Sequence, residues 1–276
     1  MKLRDLMFVL PNLFTVSSIF CGFYAMTLCT GDASPTRLYQ AALAIFFGIF
    51  FDGFDGRVAR LTKTQSMFGQ ELDSLADVIT FGAAPALLVW KWALEPLGLA
   101  GIAAAFLFAA CGALRLARFN VLAIRSPSGG GGSFFVGMPI PFAAAGIISM
   151  IIAFQNARGG ALPDEARWPV LGVATFLALL MVSTVRYRTF KDVKPSPKTA
   201  IVLVSIIATG VAIAAFSHPA WVLVAYFALY LVSGLVESAL MVRRYFAEKK
   251  ASASLADVVD EDEEEGEESV DEQEVL

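Results

Sequence analysis

Residues 52–77 read DGFDGRVARLTKTQSMFGQELDSLAD, and this stretch carries four aspartates where one apolar run ends and the next begins. Asp52 and Asp55 are three residues apart, which places them on one face of a helix. Asp73 and Asp77, four residues apart, share a face in the same way. Like charges placed so closely repel one another unless a cation lies between them. The stretch therefore predicts two antiparallel helices that bind cations, inside an all-α protein.

The depth of these aspartates limits what can stabilise them. A charged side chain at membrane depth costs about 2.5–3.5 kcal/mol, so the cluster needs partners. Ligand sets made only of oxygen suit hard divalent cations such as Mg²⁺ or Mn²⁺, and the absence of His and Cys nearby argues against zinc. Four carboxylates on two helices can hold two such ions, the arrangement that clamps a phosphoryl group during in-line displacement. We therefore expect two divalent cations, with the ligands Asp52, Asp55, Asp73 and Asp77.

Small residues surround the same aspartates. They are Gly53, Gly56, Ala59 and Gly69. Such residues remove side-chain bulk from the faces that the cations and a nucleotide would approach. A glycine inside a helix costs about 1 kcal/mol relative to alanine, so three of them near one acidic site indicate a steric requirement. Close packing of membrane helices also requires small residues, and the sequence leaves both explanations open.

The composition of the chain is that of a membrane protein. Of its 276 residues, 57 % are hydrophobic and 17 % are charged, which argues against a water-soluble enzyme. About 20 apolar helical residues cross a bilayer core of about 30 Å, and eight runs have roughly that length, which predicts a polytopic membrane helix bundle. The predicted spans are Leu13–Thr30, Leu38–Leu61, Ser74–Leu94, Leu97–Leu122, Met138–Gln155, Trp168–Val185, Ala200–Phe216 and Ala220–Met241.

The positions of Lys and Arg predict the orientation of this bundle. Positively charged residues in short loops stay on the cytoplasmic side of a membrane. The N-terminus and the segments 57–63, 115–125, 186–198 and 243–250 together hold 17 of the 21 basic residues. With an even number of spans, this bias predicts that both termini are cytoplasmic. It also predicts a protein integral to the cell membrane, with its acidic motif on the cytoplasmic side.

The C-terminal residues 251–276 differ from the rest of the chain. Twelve of the 25 acidic residues fall between Asp257 and Glu274, with no Lys or Arg among them. Such a segment lacks the apolar surface needed to offset the entropy of folding. We expect a transmembrane domain at residues 1–250, followed by a disordered acidic cytoplasmic tail at 251–276. The tail is either a solvated charge run or a docking segment.

Residues 52–77 also resemble a known motif. The order Asp-x2-Asp-Gly-x2-Ala-Arg-x8-Gly-x3-Asp-x3-Asp resembles the motif of the CDP-alcohol phosphatidyltransferases at all eight fixed positions. The resemblance implies a membrane-embedded, two-metal enzyme that transfers the phosphatidyl group of CDP-diacylglycerol to a hydroxyl acceptor and releases CMP. It also implies that Asp77 acts as the catalytic base as well as a metal ligand. The nucleotide-facing residues that it implies are Gly56, Ala59, Arg60 and Gly69.

Three flanking segments resemble the membrane-embedded phosphatidylserine synthases within that family. They are residues 11–15 (PNLFT), 115–120 (RLARFN) and 135–141 (FVGMPIP). This likeness implies that L-serine is the acceptor and that phosphatidylserine is the product. The expected partners are therefore CDP-diacylglycerol, L-serine and membrane lipids, with no nucleic acid. A homodimer is left open.

The same flanks have a physical interpretation. Arg115 and Arg118 are three residues apart on a helix, where two guanidinium groups can bind the carboxylate of serine, and Asn120 lies beside them in the expected acceptor site. Positive-inside topology, or charge compensation for the aspartates, explains the arginine pair equally well. Asn12 and Thr15 can hydrogen-bond a cytosine or a ribose, although Thr15 can instead bond to its own helix backbone.

The sequence is also compatible with other functions. The same chemistry with glycerol 3-phosphate or an inositol phosphate as acceptor gives a different phospholipid. An intramembrane prenyltransferase also uses Asp-rich helices, but the glycines and the Ala59-Arg60 pair disfavour it. An ion-coupled transporter would carry its carboxylates at mid-span, and a purely structural protein does not require the acidic motif. The single His218 and the three cysteines, which lack CxxC spacing, argue against a histidine-based triad and a zinc site.

Overall fold

A computed structural model describes residues 3–125, 134–160 and 162–188, together with residues 222, 224–229, 231, 232 and 234. The α-helices of the three long ranges are α1 (Leu3–Leu28), α2 (Pro35–Thr62), α3 (Met67–Asp77), α4 (Ala84–Val89), α5 (Leu99–Arg125), α6 (Ile140–Arg158) and α7 (Arg167–Val182). Two π-helical segments, Val78–Ala83 and Trp90–Leu94, and two 3₁₀ turns, Glu95–Leu97 and Asp164–Ala166, connect some of them. The predicted helical architecture is confirmed for this part of the chain.

A short turn joins α2 and α3 and makes them antiparallel. Lys63 ends α2 in the left-handed conformation (φ 55°), and its N–H donates to the carbonyl oxygens of Ala59 and Arg60. Three residues later, the hydroxyl of Ser66 accepts from the N–H of Gly69 at 3.0 Å and caps the first turn of α3. The two halves of the acidic motif are therefore folded back on each other.

The chain from Met67 to Leu97 is one continuous helical rod of 31 residues, which begins earlier than the predicted span Ser74–Leu94. The Ser66 cap explains the early start. Gly98 ends the rod with a positive φ of 57°, which glycine adopts readily, and α5 returns along the rod. The return is close, because a Cβ at Gly101 would lie 2.0 Å from the carbonyl oxygen of Leu94.

Alanines and large apolar side chains share the interior of the bundle, and many other large apolar residues lie on its outside. Helix α1 packs along α2, α5 packs against α7, and α2 packs against α6. Ala41, Ala42 and Ala174 are fully buried, whereas Phe20 and Phe106 have 65 % and 71 % of their surfaces exposed. Small residues let membrane helices approach closely, and large apolar side chains on the outside suit a lipid environment.

Four helical stretches in the described ranges are long and apolar enough to cross a membrane. They are Met67–Leu97, Leu99–Leu122, Ile140–Ala157 and Asp164–Val182. The predicted spans Leu13–Thr30 and Leu38–Leu61 coincide with most of α1 and α2. The predicted span Ala200–Phe216 lies outside the described residues, and only helical fragments between residues 222 and 234 represent the last one. A helical membrane bundle is thus confirmed, whereas eight spans and the location of the termini stay predictions.

One feature departs from the predicted all-α class. Strands β1 (Phe134–Val136) and β2 (Arg186–Arg188) pair antiparallel, with Phe135 opposite Tyr187. Strand β1 precedes the first residue of α6, and β2 follows the last residue of α7, so the start of α6 and the end of α7 lie at the same end of the bundle. The pairing joins segments about 50 residues apart, so the local hydrophobic period that predicts helices contains no sign of it. The bundle is helical with a two-stranded clip at this end.

Candidate active site

The four aspartates of the motif meet between α2 and α3. One carboxylate oxygen from each of Asp52, Asp55 and Asp73 lies within 4.8 Å of the others. Across the interface, Asp52 lies beside Asp77 and Asp55 lies beside Asp73. This pairing follows the antiparallel register of the two helices, because each step along α2 is matched by a step back along α3.

The oxygens of this cluster are only partly used by the protein. Thr15 on α1 donates to Oδ2 of Asp55 at 2.8 Å, and the N–H of Gly56 donates to its Oδ1. Buried Oδ1 atoms of Asp73 and Asp77, in contrast, have no hydrogen-bond partner. Orphaned carboxylate oxygens, grouped with others and without a nitrogen or sulfur ligand, fit a hard divalent cation such as Mg²⁺ or Mn²⁺. The residues present therefore fit the expected metal ions.

A polar cavity of about 420 Å³ adjoins the carboxylates between α1, α2 and α3. Its lining contains Asp55 and Asp73 together with all six residues that the sequence assigned to the nucleotide, namely Asn12, Thr15, Gly56, Ala59, Arg60 and Gly69. The structure thus brings the predicted nucleotide residues to one place beside two of the predicted metal ligands, Asp55 and Asp73. Their role in binding a nucleotide stays a prediction.

The glycines on α2 leave space free. A Cβ added at Gly53 or Gly56 meets no atom within 4 Å, so close helix packing does not explain either residue. Gly56 lines the cavity, where a side chain would occupy its volume. Gly69 is also at the cavity, and a Cβ there would lie 3.5 Å from Oδ1 of Asn12. Of the two explanations that the sequence left open, free space beside the carboxylates is favoured for Gly56.

Five further residues line the cavity, and the sequence did not predict them as part of the site. They are Pro11, Thr64, Gln65, Ser66 and Gln70. Gln70 stands three residues before Asp73 and seven before Asp77, so its helical spacing could have placed it on the acidic face. Thr64, Gln65 and Ser66 form the turn between α2 and α3. Their approach to the site depends on how that turn closes, and nothing in their local pattern indicates it.

The expected acceptor residues take different positions on α5. Arg115 is buried, with 7 % of its surface exposed, and it lies close enough to Asp77 for attraction between their charges. Its guanidinium carbon is 5.9 Å from the centre of the Phe119 ring. The amide of Asn120 donates to the hydroxyl of Ser74 at 3.0 Å, between Asp73 and Asp77 in the sequence. Arg115 therefore adjoins the carboxylate cluster, and Asn120 contacts α3, the helix that carries Asp73 and Asp77.

Arg118 is engaged by the protein backbone instead. Its guanidinium donates to the carbonyl oxygens of Val136, Val182 and Ser183, at 3.1, 3.1 and 3.2 Å. These oxygens belong to β1 and to the end of α7, so the arginine ties the two-stranded clip to α5. Binding of serine by Arg118 stays a prediction, and the structure adds a structural role.

A sequence profile of known proteins decides the family. The profile described as CDP-alcohol phosphatidyltransferase matches residues 8–241, which include both helices of the carboxylate cluster and α5. The chain belongs to the CDP-alcohol phosphatidyltransferase family. The resemblance that residues 52–77 indicated is thereby confirmed. In this family member, the matched region contains every residue of the candidate site.

Several curated relatives of this family member share one name, CDP-diacylglycerol–serine O-phosphatidyltransferase. The protein of that name from Helicobacter pylori J99 is 36 % identical over 247 residues, which cover 90 % of this chain and 98 % of the relative. The Bacillus subtilis protein is 36 % identical over 184 residues (66 % and 91 %). The Methanocaldococcus jannaschii protein is 33 % identical over 186 residues (67 % and 79 %). The similarity extends well beyond the acidic motif.

Proposed function

We propose that this protein transfers the phosphatidyl group of CDP-diacylglycerol to the hydroxyl of L-serine, which gives phosphatidylserine and CMP. The observation that carries the proposal is the cluster of Asp52, Asp55 and Asp73, with Asp77 beside it, next to a polar cavity. It lies in a chain that aligns over 90 % of its length with a protein named for this reaction. Phospholipid biosynthesis by an integral membrane transferase is the function that follows.

Two divalent cations, Mg²⁺ or Mn²⁺, are the cofactors in this proposal. Asp52, Asp55, Asp73 and Asp77 would hold them, with the orphaned oxygens of Asp73 and Asp77 as ligands. Bound metal ions neutralise the charge of a diphosphate and stabilise the departing CMP. The cavity residues Asn12, Thr15, Gly56, Ala59, Arg60 and Gly69 would hold the nucleotide next to them.

The protein's own residues divide the remaining work. Asp77 accepts the proton of the serine hydroxyl as its oxygen attacks the lipid-side phosphorus. The new bond joins that oxygen to phosphorus, and the bond to the CMP oxygen breaks with its electron pair leaving on CMP. Arg115 is placed to attract the carboxylate of serine, because it is buried next to Asp77. Asn120 would complete the acceptor side, and Arg118 would support it by holding β1 and the end of α7 against α5.

The membrane arrangement is part of the proposal. Eight spans with both termini in the cytoplasm would place the basic segments on that side, together with the carboxylate cluster. The site would then open to the cytoplasmic face of the cell membrane, where serine enters and CMP leaves. Residues 1–250 would form the transmembrane domain, and the acidic residues 251–276 a disordered cytoplasmic tail. A homodimer remains an expectation that the mass of the purified protein tests.

An acceptor comparison tests this function. The purified protein is incubated with CDP-diacylglycerol and Mn²⁺, and with L-serine, glycerol 3-phosphate or an inositol phosphate in separate reactions. We expect CMP release and a phosphatidylserine product with L-serine, and neither with the other two acceptors. CMP release with glycerol 3-phosphate or the inositol phosphate, but not with L-serine, would contradict the proposal and assign a different acceptor.

A further inference from the structure

A buried contact lies one helical turn from the carboxylate cluster, on the side away from the turn between α2 and α3. It consists of Ser18 and Gly22 on α1, Gly48 on α2, and Thr80 in the π-helical segment that follows Asp77. We call these four residues the Thr80 layer. None of them faces the polar cavity, whose lining they do not share. These residues nevertheless connect the three helical elements that carry the site.

Two hydrogen bonds hold the Thr80 layer together. Thr80 is fully buried, and its hydroxyl donates to the backbone carbonyl of Ser18 at 2.9 Å. The hydroxyl of Ser18, which is also buried, donates to the backbone carbonyl of Gly48 at 3.2 Å. Each bond crosses from one helix to another, so together they join α1 to both neighbouring elements. A buried hydroxyl without such a partner would cost about 1–3 kcal/mol.

The two glycines let the helices approach Thr80. A Cβ at Gly22 would lie 2.7 Å from the Cα of Thr80, and a Cβ at Gly48 would lie 2.7 Å from its Cγ2. Both distances are shorter than side chains tolerate, so hydrogen is the only side chain that fits at either position. The spacing of α1, α2 and the rod that begins at Met67 is therefore set at Thr80.

The same register connects this layer to the metal ligands. Asp55 pairs with Asp73, and Asp52 pairs with Asp77. Gly48 lies four residues before Asp52 on α2, and Thr80 lies three residues after Asp77 on the rod. These two residues are in contact. On α1, Ser18 follows Thr15 by one turn, and Thr15 is the residue that bonds to Asp55. The Thr80 layer and the carboxylate cluster are therefore successive layers of contact between the same three helical elements.

We propose that Thr80 is a positioning residue for the metal centre. Its bond to Ser18 and its fit against Gly22 and Gly48 hold the four carboxylates at the separation that two cations need. Metal sites tolerate only about 0.5 Å of misplacement, so a small change of helix spacing weakens them. The π-helical turn that contains Thr80 is consistent with this role, because such turns recur at functional sites. This inference rests on the proposed function only in taking the carboxylates as metal ligands.

Binding of Mn²⁺ without substrate tests this role. Electron paramagnetic resonance measures free Mn²⁺ in titrations of the detergent-purified full chain. Thr80→Val keeps the size of the side chain and removes its hydroxyl, and we expect about a tenfold weaker Mn²⁺ affinity. Thr80→Ser keeps the hydroxyl, so its affinity should lie closer to that of the unsubstituted protein. In activity assays, excess Mn²⁺ should restore turnover of Thr80→Val, while the KM for the acceptor stays unchanged.

Ser149→Ala is the matched control. Ser149 is buried on α6, and its hydroxyl donates to Gly146 of the same helix at 2.9 Å, so this variant also removes a buried hydroxyl but no contact between helices. We expect unchanged Mn²⁺ affinity. Equal losses in Thr80→Val and Ser149→Ala, or no loss in Thr80→Val, would overturn the proposal.

Two further results keep the test decisive. If Thr80→Val does not yield folded protein, Ser18→Ala replaces it, because that variant removes the bond to Gly48. Unchanged Mn²⁺ binding by Ser18→Ala would then overturn the positioning role. Mn²⁺ binding by the unsubstituted protein, without release of CMP in the presence of serine, would contradict the proposed function and leave this inference standing.

Discussion

Asp52 and Asp77, which are 25 residues apart in the sequence, lie side by side between α2 and α3, close enough for their charges to interact. Two carboxylates repel each other at this distance unless a proton or a cation lies between them. Asp55 and Asp73 repeat the arrangement one helical turn away. The site is therefore built so that cations relieve a repulsion that the fold itself creates.

The first prediction concerns stability with and without metal. Mn²⁺ binds the folded cluster and relieves its repulsion, so 100 times its Kd should raise the Tm of the protein by about 5–10 °C. Asp52→Asn removes one charge and one ligand, and its Tm should respond little to Mn²⁺. Thermal unfolding in detergent, with EDTA or with Mn²⁺, measures both effects. Equal Mn²⁺ responses of the two proteins would contradict the assignment of Asp52 as a ligand.

The second prediction concerns Thr15. Its hydroxyl donates to Asp55 at 2.8 Å, and a hydrogen bond to a charged group contributes about 1.5–3 kcal/mol. Thr15→Val should therefore lower kcat/KM for CDP-diacylglycerol by about tenfold or more. Thr15→Ser keeps the donor and serves as the control, with activity close to that of the unsubstituted protein. If the two variants lost activity equally, packing rather than the hydroxyl would be responsible.

The third prediction concerns the free space at Gly56. Leucine there fills part of the cavity and meets no other atom of the protein near its Cβ, so the fold should be retained. Leucine is also a better helix former than glycine by about 1 kcal/mol. Gly56→Leu should raise the KM for CDP-diacylglycerol without lowering the Tm. Gly172→Leu on α7, whose Cβ position is equally open, is the control and should leave the KM unchanged.

The fourth prediction separates the two arginines of α5. Arg118 holds three backbone carbonyls of β1 and α7, so Arg118→Ala should lower the free energy of unfolding by about 2 kcal/mol. Arg115→Ala should instead raise the KM for serine, because Arg115 lies next to Asp77. Chemical denaturation and serine titrations measure the two effects. A large rise in serine KM for Arg118→Ala, with unchanged stability, would show that Arg118 binds the acceptor directly.

The parts of the candidate site that could be predicted from the sequence are its charged residues, because they interrupt apolar segments. Aspartates in a membrane segment are costly, so the cost and spacing of Asp52, Asp55, Asp73 and Asp77 predicted a cluster, and the structure brings these residues together. Most of the helices could be placed for a similar reason, because apolar runs of span length have few alternative structures in a bilayer. The early start of α3 at Met67 was missed, since a cap at Ser66 begins the helix before its apolar part.

Other features depend on contacts between distant segments. Thr80, Ser18 and Gly48 are ordinary residues for membrane helices, and only the folded register brings them together. The pairing of β1 with β2 joins segments on either side of α6 and α7. Arg118 could be singled out by its charge, but its three backbone acceptors could not be predicted, because they lie 18 to 65 residues away in the sequence. Such contacts leave no local pattern in a single sequence.

Release of CMP from CDP-diacylglycerol by the purified protein, compared with Asp77→Asn, tests the central claim most directly. Binding of CDP-diacylglycerol is measured in parallel on both proteins. We expect serine-dependent CMP release by the unsubstituted protein. Asp77→Asn should bind the lipid nucleotide but release no CMP, because asparagine cannot accept the proton of serine. Full activity of Asp77→Asn, or no serine-dependent release by the unsubstituted protein, would contradict the account.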